Sequence, residues 1–168
     1  TKTFEGKTIL DGLNLKAREG RSLVIIGGSG TGKSVTLKLA LGLMTPDSGT
    51  VEIDRRPVKA GIKDDPGVAQ IGMLFQSGAL FDSLTVWENI AFRLLNAGRM
   101  RRPEAKKRAI AALEEVDLEA DVADKSPGEL SGGMLKRAAL ARAVVTRPNI
   151  LFFDEPTTGL DPVTASSI

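Results

Sequence analysis

Gly27-Gly28-Ser29-Gly30-Thr31-Gly32-Lys33-Ser34 decides the reading of this 168-residue chain. The stretch satisfies G-x-x-x-x-G-K-[ST] in full. Its glycines let the backbone curl, so that successive N–H groups point inward at an anion. A helical pattern follows from Val35 to Met44, with Leu37, Leu41 and Met44 on one face. Pro46-Asp47-Ser48-Gly49 is expected to stop it. The N-terminal end of that helix adds positive potential. Before the loop runs Leu23-Val24-Ile25-Ile26. This short β-branched run predicts a strand over 22–26, buried on both faces. The bland alternative is a glycine-rich turn ahead of a helix. It does not account for the strand–loop–helix frame or for Lys33-Ser34 at the helix start. In the phosphate reading, Lys33 reaches the β and γ phosphates of a nucleotide and the Ser34 hydroxyl ligates Mg²⁺.

Working outward, Thr8 to Lys16 reads as a strand, with turns at Asp11-Gly12 and Glu19-Gly20. Val51 to Asp54 is a short strand, and Gly61 to Pro66 is a loop or single turn. Ile71 to Phe75 is a further strand, with Gln76 at its exit. Thr85-Val86-Trp87-Glu88 is a capping-box pattern that opens a helix to about Asn96. A second helix fits Pro103 to Val116, with Ala109, Leu113 and Val116 on one side. A third spans Gly132 to Thr146. Ile150-Leu151-Phe152-Phe153 is another buried strand and runs into Asp154-Glu155. Strand and helix alternate at both ends, and the middle is helical. The chain therefore reads as an α/β core with a helical insertion.

Asp154-Glu155 places two carboxylates at the exit of an apolar strand. Alone, the pair is a commonplace strand end. Beside a P-loop, the Asp holds the Mg²⁺ shell, and a following Glu can polarise the attacking water. Leu130-Ser131-Gly132-Gly133-Met134 is the third feature. Ser131 is a good N-cap in any case. Two glycines at a helix start are otherwise costly, and they make sense if backbone N–H groups must approach an anion. Spacing alone leaves open whether Gly30 to Ser34 and Ser131 to Gly133 face one nucleotide.

Composition narrows the chemistry. Hydrophobic residues make up 42% of the chain, enough for one domain with a real core. Basic and acidic residues nearly balance, 23 against 21, which excludes a disordered chain and gives no support to nucleic-acid binding. Six basic residues lie in 99–108 and six acids in 114–124, expected as solvated helix faces. There is no Cys and no His, so thiolate chemistry, Ser-His triads and His or Cys metal sites are excluded. No apolar run is long enough to span a membrane, and no signal-peptide pattern is visible.

Taken in order, these motifs resemble the ATP-binding subunit of ABC transporters. The chain carries a Walker A loop (Gly27 to Ser34), a Gln at a strand exit (Gln76) and an LSGG signature (Leu130 to Gly133). It also carries a Walker B strand (Ile150 to Glu155) and a D-loop-like Gly159-Leu160-Asp161. Phe4 stands where the family places an adenine-stacking aromatic, with a plain core residue as its alternative. The resemblance implies a P-loop NTPase (RecA-like) core at 1–84 and 131–168, with a helical subdomain at 85–130 that docks on a transmembrane permease. It implies ATP and Mg²⁺ as cofactors and a second copy of the subunit, packed head to tail. ATP would lie between Gly27, Gly28, Ser29, Gly30, Thr31, Gly32, Lys33 and Ser34 of one copy and Ser131, Gly132 and Gly133 of the other. Ser34, Gln76 and Asp154 would serve the metal, and Glu155, Gln76 and Lys33 the reaction. The subunit would sit in the cytoplasm, peripheral on the inner face of the cell membrane.

Met73 to Phe81, Leu84 to Ile90 and Met134 after the signature glycines look like the lipid-transport branch, which works with permeases and MCE-type lipid-binding proteins. Alternatives are a small-solute importer or exporter, and a soluble ABC-type ATPase of DNA repair or translation. Against the last, 97 residues separate Lys33 from Ser131, with no sustained heptads. The family carries a switch His beyond the D-loop, and this sequence has none. With Thr1 as its first residue, the chain is expected to be a fragment truncated at both ends, with impaired hydrolysis and exposed apolar edges.

Overall fold

The computed structural model describes residues 1–58, 70–76, 78–96, 98 and 100–156. The chain divides into two units, Thr1–Gln70 and Ile71–Ile168, each described by itself. The expected loop over 61–66 and the D-loop-like 159–161 lie outside the described residues.

In the first unit, β1 (Lys2–Phe4) and β2 (Lys7–Leu10) form an antiparallel hairpin. Glu5 and Gly6 turn it with φ of 47° and 80°, the left-handed pair that a two-residue hairpin demands. The predicted strand over 8–16 is thus cut to β2, because Asp11 and Gly12 bend the chain away. Asp47 ties the hairpin down. It accepts from Lys2 Nζ at 2.6 Å and from the Thr3 amide at 2.7 Å. Both bonds hold its carboxyl below the ordinary carboxylate range.

α1 (Lys33–Ala40) begins two residues before the predicted start. It also ends early. Leu43 N–H donates to the Lys38 carbonyl at 2.9 Å and Gly42 N–H to Leu39 at 3.1 Å. With Gly42 at φ 65°, this is a Schellman stop, so Gly42 ends the helix and not the Pro46 turn. Leu39 and Leu41 are buried, whereas Leu37 and Met44 are only half-buried. β3 (Glu52–Ile53) and β4 (Arg56–Pro57) form a small hairpin beyond it.

The strand predicted over 22–26 does not form among the described residues. Val24 is 75% exposed and Ile26 91%. An apolar run reports what its side chains prefer, but a strand also needs neighbouring backbone to bond with.

In the second unit, β5 (Ile71–Leu74) and β6 (Ile150–Phe153) run parallel, in register from Ile71↔Ile150 to Leu74↔Phe153. β5 is buried, with Leu74 1% exposed. β6 was expected to be buried as well, but Leu151 and Phe153, which share one face of the strand, are exposed, because nothing covers that face among the described residues. A Cβ built on Gly72 would press into the Ala143 carbonyl and lie 2.7 Å from Leu151 Cδ2 and 2.8 Å from Pro148 Cγ. Gly72→Ala is therefore expected to cost about 1–3 kcal/mol of unfolding free energy, read by urea denaturation.

The crossover from β5 to β6 holds α2 (Val86–Asn96), α3 (Arg102–Glu114), 3₁₀ turns at Ala120–Asp124 and Pro127–Glu129, and α4 (Gly132–Val144). Their core joins Val86, Ile90 and Leu113 to fully buried Ala91, Ala105, Ala109, Ala138 and Ala141. The alanines let helices approach closely at little entropic cost. The opposite charge blocks lie mainly on exposed faces, and the Lys106–Asp124 ion pair joins them. Lys106 Nζ lies 2.6 Å from Asp124 and Arg102 stacks 4.9 Å over the Trp87 ring.

Glu88 closes the start of α2. Its carboxylate accepts from Arg102, and from the Thr85 amide and hydroxyl, both at 3.0 Å. The Arg102 bond, then the Thr85 bonds, hold its pKa below 4.5. A depressed carboxyl stabilises above its unfolded pKa, and that stability is lost as pH falls through the folded one. Glu88→Gln should thus lower stability by about 1 kcal/mol at pH 7. The gap in thermal midpoint should close as the pH drops below 4.5.

Candidate functional site

The glycine-rich loop of the first unit is curled around a cation. Lys33 Nζ donates to the Gly27 carbonyl at 2.8 Å and to the Gly28 carbonyl at 2.9 Å. Thr31 Oγ1 also donates to Gly28, at 2.9 Å. Gly30 and Gly32 take φ of 76° and 93°, and Gly32 is the N-cap of α1. A Cβ on Gly32 would come 2.6 Å from Leu10 Cδ2 and 3.2 Å from Ile9 Cγ2, so the loop base seats on β2 only as glycine. A Cβ on Gly27 would come 2.7 Å from Thr31 Oγ1. Ser29 and Ser34 are exposed, with Ser34 in the first turn of α1. An ammonium held in the loop's concavity, at a helix N-terminus, is the arrangement a phosphate chain fits. Phe4 is 40% exposed and is not a core residue; the Lys2 ammonium lies 5.5 Å from its ring centroid.

The second unit brings together residues 79 positions apart. Gln76 Nε2 donates to Glu155 Oε2 at 2.9 Å. The strands carry them there, since Asp154 N–H continues the ladder to the Leu74 carbonyl at 3.0 Å. Asp154 is half-buried and Glu155 exposed. Glu155 stands at φ 47°, a left-handed conformation that costs a non-glycine residue about 1–2 kcal/mol. Held strain at a carboxylate marks a position where its direction matters. Among the described residues no group of three or more His, Cys, Asp or Glu can hold a metal. Mg²⁺ seldom uses an all-protein cage, and a single carboxylate such as Asp154 with remaining water suits it.

Ser131 is the N-cap of α4, and its Oγ accepts from the Met134 amide at 3.3 Å. Ser131 and Gly132 are exposed, and space around Gly132 is open. The signature thus presents a helix end to solvent. Ser126 and Glu129 anchor the approach, with the Ser126 amide donating to Glu129 at 2.6 Å.

Sequence reasoning missed Lys136 and Arg142 on α4. Lys136 Nζ donates to the Pro156 carbonyl at 3.0 Å, just past Glu155. Arg142 donates to the Ala79 carbonyl at 2.6 Å and the Gly78 carbonyl at 2.7 Å, just past Gln76. The signal was present. Alanines 138, 139, 141 and 143 of α4 are buried, so cations set among them must find partners.

The family profile for the ABC transporter matches residues 10–158. This chain belongs to the ABC transporter family. It is 43% identical to the chloroplastic protein TRIGALACTOSYLDIACYLGLYCEROL 3 of Arabidopsis thaliana, over 99% of this chain and 50% of that protein. It is 41% identical to the probable ribonucleotide transport ATP-binding protein mkl of Mycobacterium leprae, over 97% of this chain and 47% of that protein. It is 38% identical to the intermembrane phospholipid transport system ATP-binding protein MlaF of Haemophilus influenzae, over 96% and 62%. Among solved structures, the dimeric post-hydrolysis ATP-binding cassette MJ0796 with ADP and Pi superposes with a TM-score of 0.83 at 36% identity, covering 95% of this chain and 71% of that one. The fold is the α/β P-loop NTPase of the ABC cassette. The chain spans about half the length of the first two relatives.

Proposed function

We propose that this chain is the nucleotide-binding part of an ABC transporter ATPase and that its transporter moves phospholipid. The observation that carries the enzymatic half is the Gln76–Glu155 pair at the exits of two parallel strands. Glu155 accepts a proton from the attacking water, and Gln76 holds that carboxylate toward the reacting face. The Lys33 ammonium leaves the Gly27 and Gly28 carbonyls and donates to the β and γ phosphates. By the family resemblance, Ser34, Gln76 and Asp154 would be the residues that serve Mg²⁺. Phe4 stacks on the base, and Gly27 to Gly32 wrap the phosphates with N–H groups. ATP supplies the phosphoanhydride bond, and Mg²⁺ would offset its charge when bound.

Two copies pack head to tail. Ser131, Gly132 and Gly133 of one copy then close on the nucleotide held by the other. The exposed N-terminus of α4 supports this, as does the dimeric state of the MJ0796 cassette. The helices within 85–130 dock on a permease at the inner face of the membrane, with an MCE-type lipid-binding protein as a further partner. Among the described residues no helix is long and apolar enough to cross a membrane.

Phospholipid as cargo rests on the relative named for intermembrane phospholipid transport, and the relative carrying the name of a galactosylated diacylglycerol, a glycolipid, supports lipid cargo in general. The mkl relative, named for ribonucleotide transport, favours a small-solute reading as the second choice. Proteoliposomes holding the full transporter distinguish them. The account predicts ATP-dependent movement of labelled phospholipid between vesicles. Uptake of a labelled ribonucleotide without lipid movement contradicts it. In the same protein, Lys33→Ala should weaken ATP binding about tenfold, since it removes a charge-assisted phosphate contact. Equilibrium binding of a fluorescent ATP analogue measures this.

A further inference from the structure

The Gln76–Glu155 hydrogen bond joins two exposed side chains and has little strength of its own. The backbone that carries the two residues contributes to its geometry. Past Leu74 and Phe153 the parallel ladder is nearly spent, and both chains leave it through unfavourable conformations. On the β5 side, Gly78 and Ala79 stand at φ 73° and 49°. On the β6 side, Glu155 itself stands at φ 47°. Left-handed Ala and Glu persist only where surrounding bonds hold them.

α4 supplies those bonds at both exits. Arg142 grips the carbonyls of Gly78 and Ala79 with two nitrogens of its guanidinium, at 2.7 and 2.6 Å. Lys136, buried on the same helix, grips the carbonyl of Pro156 at 3.0 Å. The gripped carbonyls belong to the left-handed residues or their immediate neighbours. Burial lowers the Arg142 pKa, yet the group keeps its charge at any ordinary pH. Gly72 lets the β5 backbone lie directly against the end of α4 at Ala143. The helix that starts at Ser131 thus holds the two strand exits that present Gln76 and Glu155.

We infer that Arg142 and Lys136 are positioning residues for hydrolysis, acting as a two-point clamp that sets the direction of Gln76 and Glu155. This rests on the hydrolytic roles proposed above for those two residues. Because the clamp and the signature share one rigid helix, a nucleotide docking against Ser131 also bears on the Gln76–Glu155 pair of the same copy.

The test uses the full-length ATPase, with kcat and KM for ATP measured by phosphate release. Lys136→Met and Arg142→Met should each cut kcat about tenfold while KM stays within about twofold, the pattern of a lost transition-state orientation. Lys136→Arg should regain most of the rate, because it still donates to one carbonyl. Arg142→Lys should not, because one ammonium does not reproduce the forked grip on two. If the Met variants do not fold, the Arg142→Lys and Lys136→Arg pair decides. Wild-type kcat in folded Arg142→Lys, or kcat and KM worsening together in proportion to lost thermal stability, overturns the clamp. Glu155→Gln in the same assay separates the two claims. If it turns over normally, the hydrolytic site is misassigned. If it is inactive while the clamp variants are normal, only the clamp fails.

Discussion

Glu155→Gln is expected to lower ATP turnover by at least about 100-fold, the usual weight of a positioned general base. ATP affinity should hardly change. The substitution is nearly isosteric and keeps a carbonyl oxygen for the bond from Gln76 Nε2, which is 2.9 Å in the native pair. The left-handed backbone at φ 47° is no worse for Gln than for Glu. What disappears is the ability to take a proton from water. Lys33 and its loop lie in the other unit and keep their bonds to the Gly27 and Gly28 carbonyls. Phosphate release at saturating ATP, beside equilibrium binding of the nucleotide, measures both halves. Loss of binding together with turnover would mean that Glu155 supports the fold and not the reaction.

The second large effect is structural. Asn89→Ala should destabilise the protein by about 3 kcal/mol or more, because it leaves several buried polar groups without partners. Asn89 is fully buried on α2. Its Oδ1 accepts from the Phe81 amide at 2.7 Å. Its Nδ2 donates to the carbonyls of Phe81, Leu84 and Thr85 at 3.0, 3.2 and 3.1 Å. One side chain therefore fastens the loop that leads from Gln76 into the helices. Asn89, Val86 and Ile90 are all essentially inaccessible, so the groups left behind are far from bulk water. Urea denaturation gives the magnitude. A change under 1 kcal/mol would show that the loop finds other partners.

The phosphate loop of the candidate site was legible because its residues are contiguous. A phosphate loop needs glycines, Lys and a hydroxyl within one turn, and Gly27 to Ser34 announces itself. Ser131 was readable as an N-cap for the same reason, and it does cap α4. The missed parts depend on partners distant in sequence. Arg142 meets carbonyls more than sixty positions away, and Asn89 looks like an ordinary polar residue until its loop folds back. Gly72 reads as a dull strand glycine, though Ala143, Leu151 and Pro148 leave no room for a side chain. The run at 22–26 erred in the other direction. Its side chains favour a buried strand, but pairing is decided by neighbouring backbone, and Val24 and Ile26 stay exposed. The helix end at Gly42 was set by a local motif that outranked the more conspicuous Pro46.

The central claim is a nucleotide held between the glycine loop of one copy and the Ser131 helix end of another. Sedimentation velocity on the full-length Glu155→Gln protein, with and without Mg-ATP, tests it most directly. The account predicts one copy without nucleotide and a stable pair with ATP, because the base that would dissolve the bridge is gone. A single copy at every ATP concentration, in a variant that still binds ATP, would contradict it.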